Sequence, residues 1–206
     1  MILPRVYPIT DIEISGLSHA QQVRRLIDGG ATLIQLREKR KPAREFFSDA
    51  AECISIAQAA GVKIIIDDRV DVALALGADG VHLGQTDMPV NAARRLLGPD
   101  RIIGFSTHNL EQVRAALTLP IDYLAFGPIF GTTTKANPDP VAGVDQLRQT
   151  CALAGSLPVV AIGGITRENA PEAVSAGANA VAVISTILAN PLRISSNLQD
   201  LIAVIR

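Results

Sequence analysis

The sequence predicts an α/β chain folded as one (β/α)8 TIM barrel over residues 1–206, with its site at the C-terminal rim of the strands. Three observations carry that expectation. Short apolar, β-branched runs recur at residues 6–11, 33–38, 63–67, 80–84, 102–107, 123–129, 159–165 and 180–185, each suited to a buried parallel strand. The segments between them repeat apolar residues at helical spacing. No Pro/Gly/Ser linker or change of composition divides the chain. Eight strand-then-helix units favour a closed eightfold barrel over an open doubly wound sheet.

The helical segments show their buried faces directly. Val23, Leu26, Ile27 and Ala31 share one side of residues 20–33, and Ala50, Ile54, Ala57 and Ala60 do the same in the next unit. A weak internal echo punctuates the chain. Gly30-Ala31, Gly77-Ala78 and Gly177-Ala178 each close a helix just before an apolar strand, where glycine permits the left-handed backbone that stops a helix. The sixth unit is longer than its neighbours by residues 130–142, Phe-Gly-Thr-Thr-Thr-Lys-Ala-Asn-Pro-Asp-Pro-Val-Ala. Following a strand, this polar stretch belongs to the C-terminal rim and suits a loop that covers bound substrate.

Composition removes several classes of function. The chain is 48% hydrophobic, enough for a substantial core, and its net charge of −1 offers no basic excess for nucleic acid or a membrane surface. With Phe 5, Tyr 2 and Trp 0, it lacks material for a base-stacking platform. Cys53 and Cys151 stand alone in apolar helical patterns, as buried free thiols rather than metal ligands or a disulfide. No uncharged apolar run is long enough to span a bilayer, and the first residues, Met-Ile-Leu-Pro-Arg, do not read as a secretion signal. A cytoplasmic protein is expected, and self-association into a homo-oligomer is left open.

The chemistry gathers at predicted strand ends. Two strands close on carboxylates, in Ile-Ile-Ile-Asp67-Asp68 and in Gly80-Val-His82-Leu-Gly-Gln-Thr-Asp87. If those strands are parallel neighbours, Asp68 and Asp87 leave one edge together and suit Mg²⁺, which keeps several waters and bridges one or two carboxylates to phosphate. In Gln35-Leu36-Arg37-Glu38-Lys39, strand alternation sets Gln35, Arg37 and Lys39 on one face. Cations on an inward face need compensating anions, for which an anionic ligand is the economical source; the alternative is that Arg37 and Lys39 lie beyond the strand in solvent. Gly163-Gly164 and Ser185-Thr186 end the seventh and eighth predicted strands, each running into a helix, where such barrels repeatedly bind phosphate. Thr132, Thr133, Thr134 and Lys135 add hydroxyls and an ammonium from the loop, and Ser106 belongs to the same rim. His82 suits a pocket wall or a hydrogen-bonded core, His108-Asn109 suits a helix cap, and His19 carries no signal. Two phosphorylated reactants over one metal is the picture, with positioning and electrostatics in place of an acid/base pair.

At these residues the chain resembles the thiamine-phosphate synthase family. The match runs through Tyr7-Pro-Ile-Thr-Asp11, Gln35-Leu-Arg-Glu-Lys39, Asp68-Arg-Val-Asp71, Gly80-Val-His-Leu-Gly-Gln85, Asp87, Gly104-Phe-Ser106, Gly127-Pro-Ile-Phe130, Thr132-Thr-Thr-Lys135, Gly163-Gly-Ile165 and Ile184-Ser185, in order and spacing. The resemblance implies a transferase: hydroxymethylpyrimidine diphosphate loses pyrophosphate in a dissociative step, and thiazole phosphate captures the pyrimidine methylene to give thiamine phosphate. It implies that Gln35, Leu36, Arg37, Glu38, Lys39, Asp67, Ser106 and Lys135 bind the pyrimidine diphosphate, with Arg37, Lys39, Ser106 and Lys135 catalytic. Thr132, Thr133, Thr134, Gly164, Ile184 and Ser185 would bind the thiazole phosphate, and Asp68 and Asp87 would hold Mg²⁺. One departure stands out: the family usually has Asn-Asp where this chain has Asp67-Asp68, so a carboxylate replaces the amide donors. A thiazole tautomerase on the same barrel and a non-catalytic phosphate-binding barrel are the alternative readings.

Overall fold

A computed structural model describes residues 3–132 and 139–205. Eight parallel strands close into one barrel: β1 (Val6–Thr10), β2 (Leu33–Leu36), β3 (Lys63–Asp67), β4 (Gly80–Leu83), β5 (Ile102–Thr107), β6 (Tyr123–Phe126), β7 (Val159–Ile162) and β8 (Ala180–Val183). The ring closes through β1 and β8, with Tyr7 opposite Ala182. Each strand lies within its predicted run. Six of them stop one to three residues early, because the ladder ends where the chain turns outward and the rim residues begin.

The helices pack outside the ring. They are α1 (Ile12–Ser15), α2 (His19–Asp28), α3 (Ala43–Ala59), α4 (Val70–Leu76), α5 (Val90–Leu97) and α6 (Leu110–Ala116) in the first five units. The remainder are α7 (Gly143–Ala154), α8 (Ala170–Ser175), α9 (Ser185–Leu188) and α10 (Ile194–Val204). Strand alternation divides the apolar residues into two cores. Ile34, Leu36, Ile64, Ile66 and Val81 face the helices, whereas Tyr7, Ile9, Leu33, Ile65 and Tyr123 fill the barrel. Two sequence expectations shift here. Ala60 is exposed, because α3 ends at Ala59 and the apolar face ends with it. The helix after β7 does not follow Gly163-Gly164 at once; it starts at Ala170, after a turn in which Asn169 Oδ1 accepts from the Thr166 N–H at 2.7 Å. Cys53 is buried and Cys151 half-buried, both as free thiols, and burial pushes the Cys53 thiol up to about 12. Among the described residues no helix is long and apolar enough to cross a membrane.

The Gly-Ala echo precedes β2, β4 and β8 at the N-terminal end of the barrel. Gly30, Gly77 and Gly177 take φ of 93°, 65° and 109°, the left-handed turn expected of them. The residue just before each of β4, β6 and β8 then turns its side chain back onto the preceding strand. Asp79 accepts from Ile64 N–H at 2.9 Å, Asp122 from Ile103 N–H at 2.7 Å, and Asn179 from Val159 N–H at 2.8 Å. Asp122 also takes a bond from Arg94 at 2.6 Å. Asp122→Ala would strand the N–H of fully buried Ile103, so urea unfolding is expected to show a loss of roughly 1–3 kcal/mol. Substrate affinity should not move, since Asp122 lies at the end of the barrel opposite the rim.

Candidate active site

The C-terminal rim encloses a cavity of about 570 Å³, within the usual size for a small-molecule site. Its floor is a buried hydrogen-bond chain that crosses the barrel. Gln35 donates to the Tyr7 hydroxyl at 3.2 Å, which meets the Tyr123 hydroxyl at 3.1 Å. Tyr123 meets His82 Nδ1 at 2.9 Å, and His82 Nε2 meets Ser106 Oγ at 2.7 Å. Gly104 makes this possible: any Cβ there would sit 2.0 Å from the Tyr123 ring. Burial raises both tyrosines well above their ordinary value and lowers His82 to about 4, so the floor is neutral at physiological pH. His82 therefore both lines the cavity and is a hydrogen-bonded core histidine. The two tyrosines carry no recognisable spacing; only their inward register on β1 and β6 reveals them.

One flank carries the charges. Arg37 and Lys39 lie beyond the last ladder residue of β2, partly exposed and lining the cavity. Their compensating anions come from the protein, so an anionic ligand, the economical source, is not required, and both residues lie beyond the strand as the alternative had it. Arg37 donates to Asp11 at 2.7 Å, and Asp11 also accepts the first N–H groups of α1. Lys39 bridges Asp67, at 2.7 Å, and Asp68. The two ends of this bridge respond differently. Burial alone would lower Lys39, but attraction to Asp67 and hydrogen bonds to both carboxylates hold it above its ordinary value. Asp67 is almost wholly buried; lost hydration raises it, the Lys39 charge pulls it back and the Asp68 charge pushes it up again, leaving it at about 6.

Asp68 and Asp87 come together as their strand ends predict. Asp68 has φ of 60°, the one non-glycine residue with positive φ among those described, a left-handed backbone that Asp tolerates and that the surrounding structure must hold in place. Asp87 accepts from Gly84 N–H at 2.6 Å, and its pKa is raised by burial and by contact with the Asp68 charge. Among the described residues no group of three or more His, Cys, Asp or Glu gathers to cage an ion. Asp67, Asp68 and Asp87 set three carboxylates against the one Lys39 ammonium, a balance in which Asp68 and Asp87 fit a hard cation that completes its shell with water and phosphate.

The opposite flank holds Thr132, Gly164, Ile184 and Ser185, all lining the same cavity. Gly163 and Gly164 have φ of 94° and 63°, and a Cβ on Gly164 would sit 2.4 Å from the Gly131 carbonyl. The glycine pair thus lets the end of β7 pack against the start of the 130–142 loop. Thr133, Thr134 and Lys135 lie outside the described residues. Two expected contacts move away from the cavity. Leu36 is fully buried among the helices, because it alternates with Gln35 along β2. Glu38 turns outward too, onto His19 at 3.3 Å and the backbone N–H of Arg40 and Lys41. His19, silent in the sequence, is fully buried. Asn109 caps α6 as expected, while His108 bonds the Gly127 carbonyl at 2.7 Å and reaches the cavity wall.

Comparisons with known proteins agree with this geometry. The family model described as thiamine monophosphate synthase matches residues 6–187. Thiamine-phosphate synthase from Koribacter versatilis is 46% identical over 196 residues, 92% of this chain and 91% of the relative. The enzyme of that name from Chloroflexus aurantiacus is 46% identical, covering 90% of this chain and 85% of its own. Among solved structures, thiamine phosphate pyrophosphorylase from Pyrococcus furiosus superposes with a TM-score of 0.88 at 35% identity, over 98% of this chain and 95% of that one. With the match covering most of the barrel and both flanks of its mouth, the chain belongs to the thiamine monophosphate synthase family.

Proposed function

We propose that this chain is a thiamine-phosphate synthase, joining hydroxymethylpyrimidine diphosphate to thiazole phosphate with release of pyrophosphate. The observation that carries the reading is the meeting of two unlike flanks around one cavity. One holds Arg37 and Lys39 with Asp68 and Asp87; the other holds Thr132, Gly164, Ile184 and Ser185. The first suits a diphosphate and a divalent cation, and the second a monophosphate. A pocket for one phosphorylated ligand needs only one of them.

In this reading the carbon–oxygen bond to the diphosphate breaks, and the thiazole nitrogen forms the new bond to the pyrimidine methylene. Asp68 and Asp87 would hold Mg²⁺, which would supply positive charge near a departing pyrophosphate. Arg37 and Lys39 would meet the same oxygens, and the family resemblance assigns Lys135, outside the described residues, to the same diphosphate. Gln35 and Ser106, each fixed by the neutral floor, orient the pyrimidine. His82, held neutral with both ring nitrogens engaged by Tyr123 and Ser106, does not serve as an imidazolium acid at physiological pH, in keeping with a reaction driven by positioning and electrostatics. The reading carries with it a cytoplasmic enzyme that acts on small phosphorylated substrates.

The test is direct. Purified protein with Mg²⁺ and both substrates is expected to release pyrophosphate and thiamine phosphate in equal amounts. Absence of product at saturating concentrations of both would overturn the assignment.

A further inference from the structure

The loop that follows β2 must hold two cations at the mouth of the cavity, and a buried residue outside that cavity ties it down. His19 is the first residue of α2, whose start is locked by a capping box between Ser18 and Gln21. Its side chain has no solvent exposure, and its ring packs at 62° to Phe46 with centroids 6.1 Å apart. Nδ1 lies 2.8 Å from Thr10 Oγ1, and Nε2 lies 3.3 Å from Glu38 Oε2.

Both partners of His19 grip the loop by its backbone. Thr10 Oγ1 accepts the Arg37 N–H at 3.3 Å, while Glu38 Oε1 accepts the N–H of Arg40 at 2.7 Å and of Lys41 at 3.1 Å. Accounting for donors gives the chain one direction. Thr10 receives from Arg37, so its hydroxyl proton is available to His19 Nδ1. His19 Nε2–H then donates to Glu38, which accepts the two remaining loop amides. A neutral imidazole with its proton on Nε2 satisfies every group, and burial, the largest influence on His19, favours that neutral form. Arg37 and Lys39 sit between the two anchored ends.

We propose that His19 is a positioning residue: by bridging Thr10 and Glu38 it holds residues 37–41 in the conformation that presents Arg37 and Lys39 to a diphosphate. The inference rests on the proposed function for the identity of that ligand. It assigns to the diphosphate substrate, and not to the thiazole phosphate, the sensitivity to a side chain that touches neither.

The experiment uses the full chain and compares wild type with His19→Phe, His19→Gln and Thr10→Val. Phe fills the space without either nitrogen, Gln keeps a donor toward Glu38, and Val keeps the branched shape of Thr10 without its hydroxyl. Inorganic pyrophosphate with Mg²⁺ is titrated calorimetrically, and KM is measured for each substrate. His19→Phe and Thr10→Val are expected to weaken pyrophosphate and to raise KM for the pyrimidine diphosphate about tenfold. The thiazole phosphate KM should stay unchanged, kcat should fall along with the pyrophosphate affinity because Arg37 and Lys39 serve the leaving group, and His19→Gln should recover most of both losses. Amide hydrogen exchange at Arg37, Arg40 and Lys41 should quicken in the Phe variant. Equal pyrophosphate affinity in all four proteins would overturn the proposal. So would a parallel rise of both KM values with a fall in melting temperature, and so would a wild type that binds no pyrophosphate. A wild type that binds pyrophosphate but forms no thiamine phosphate would remove the assigned activity, and the binding comparison would still decide the role of His19.

Discussion

Asp87→Ala is expected to lower kcat by about a thousandfold, with circular dichroism and melting temperature close to wild type. Asp87 is partly exposed at the rim, and apart from the Gly84 N–H bond its environment is the Asp68 carboxylate rather than the core. Removing it relieves a like-charge contact, so the fold loses little. The same change removes half of the oxygen donors available to a divalent cation. Two readouts separate this from general damage. Wild-type turnover should rise and saturate with added Mg²⁺ and stop when a chelator removes it, whereas the residual rate of the variant should no longer respond to Mg²⁺. The thiazole phosphate KM, set on the other flank, should stay within about twofold. A variant with wild-type turnover and an unchanged Mg²⁺ response would remove Asp87 from the metal site.

Asp67→Asn is expected to act in the opposite direction and lower KM for the pyrimidine diphosphate about tenfold. In the protein as it stands, the Lys39 ammonium is shared between Asp67 and Asp68, so an incoming diphosphate must compete with two carboxylates for one cation. Asparagine, the residue the family usually carries there, keeps an acceptor, adds amide donors and removes one competitor. Stability supplies an independent check. The Asp67 pKa lies near 6 in the folded protein, above the ordinary carboxylate value. A raised pKa means that the folded state binds the proton more tightly than the unfolded chain. Its contribution to stability is therefore full below the unfolded pKa and is lost as pH rises from about 4 through about 6. Urea unfolding should show Asp67→Asn gaining on wild type by on the order of 2 kcal/mol between pH 4 and pH 8. A difference that stays flat over this interval would mean that the buried carboxylate is fully compensated, and an unchanged KM would mean that Asp67 does not hold Lys39 back.

The contrast between these two aspartates shows how far sequence reasoning reaches. Strand period and helix spacing are local, and they were enough to place all eight strands, the closing glycines at positions 30, 77 and 177, and the convergence of Asp68 with Asp87. Parallel neighbours in a barrel send their C-terminal ends to one rim, so residues at strand ends meet whatever lies between them. Thr132, Gly164, Ile184 and Ser185 reach the opposite flank by the same rule.

What a residue pairs with is another matter. Leu36 and Glu38 sit in a stretch that resembles a ligand clamp as a unit, yet alternation along β2 turns Leu36 away from the cavity, and bonds to His19, Arg40 and Lys41 hold Glu38 away from it. Asp11 as the partner of Arg37, Asp67 as the partner of Lys39, and the Tyr7–Tyr123–His82 floor all join strands or loops far apart in the chain. His19 is the extreme case: a polar residue opening a helix, indistinguishable from a surface side chain until α2 packs against the barrel and buries it. The sequence by itself determined the barrel and which residues crowd its mouth, because those follow from local periodicity. Only the tertiary structure decided which charges are already neutralised and which hydrogen bonds hold them, because partners are chosen by proximity across strands and helices that no spacing along the chain records.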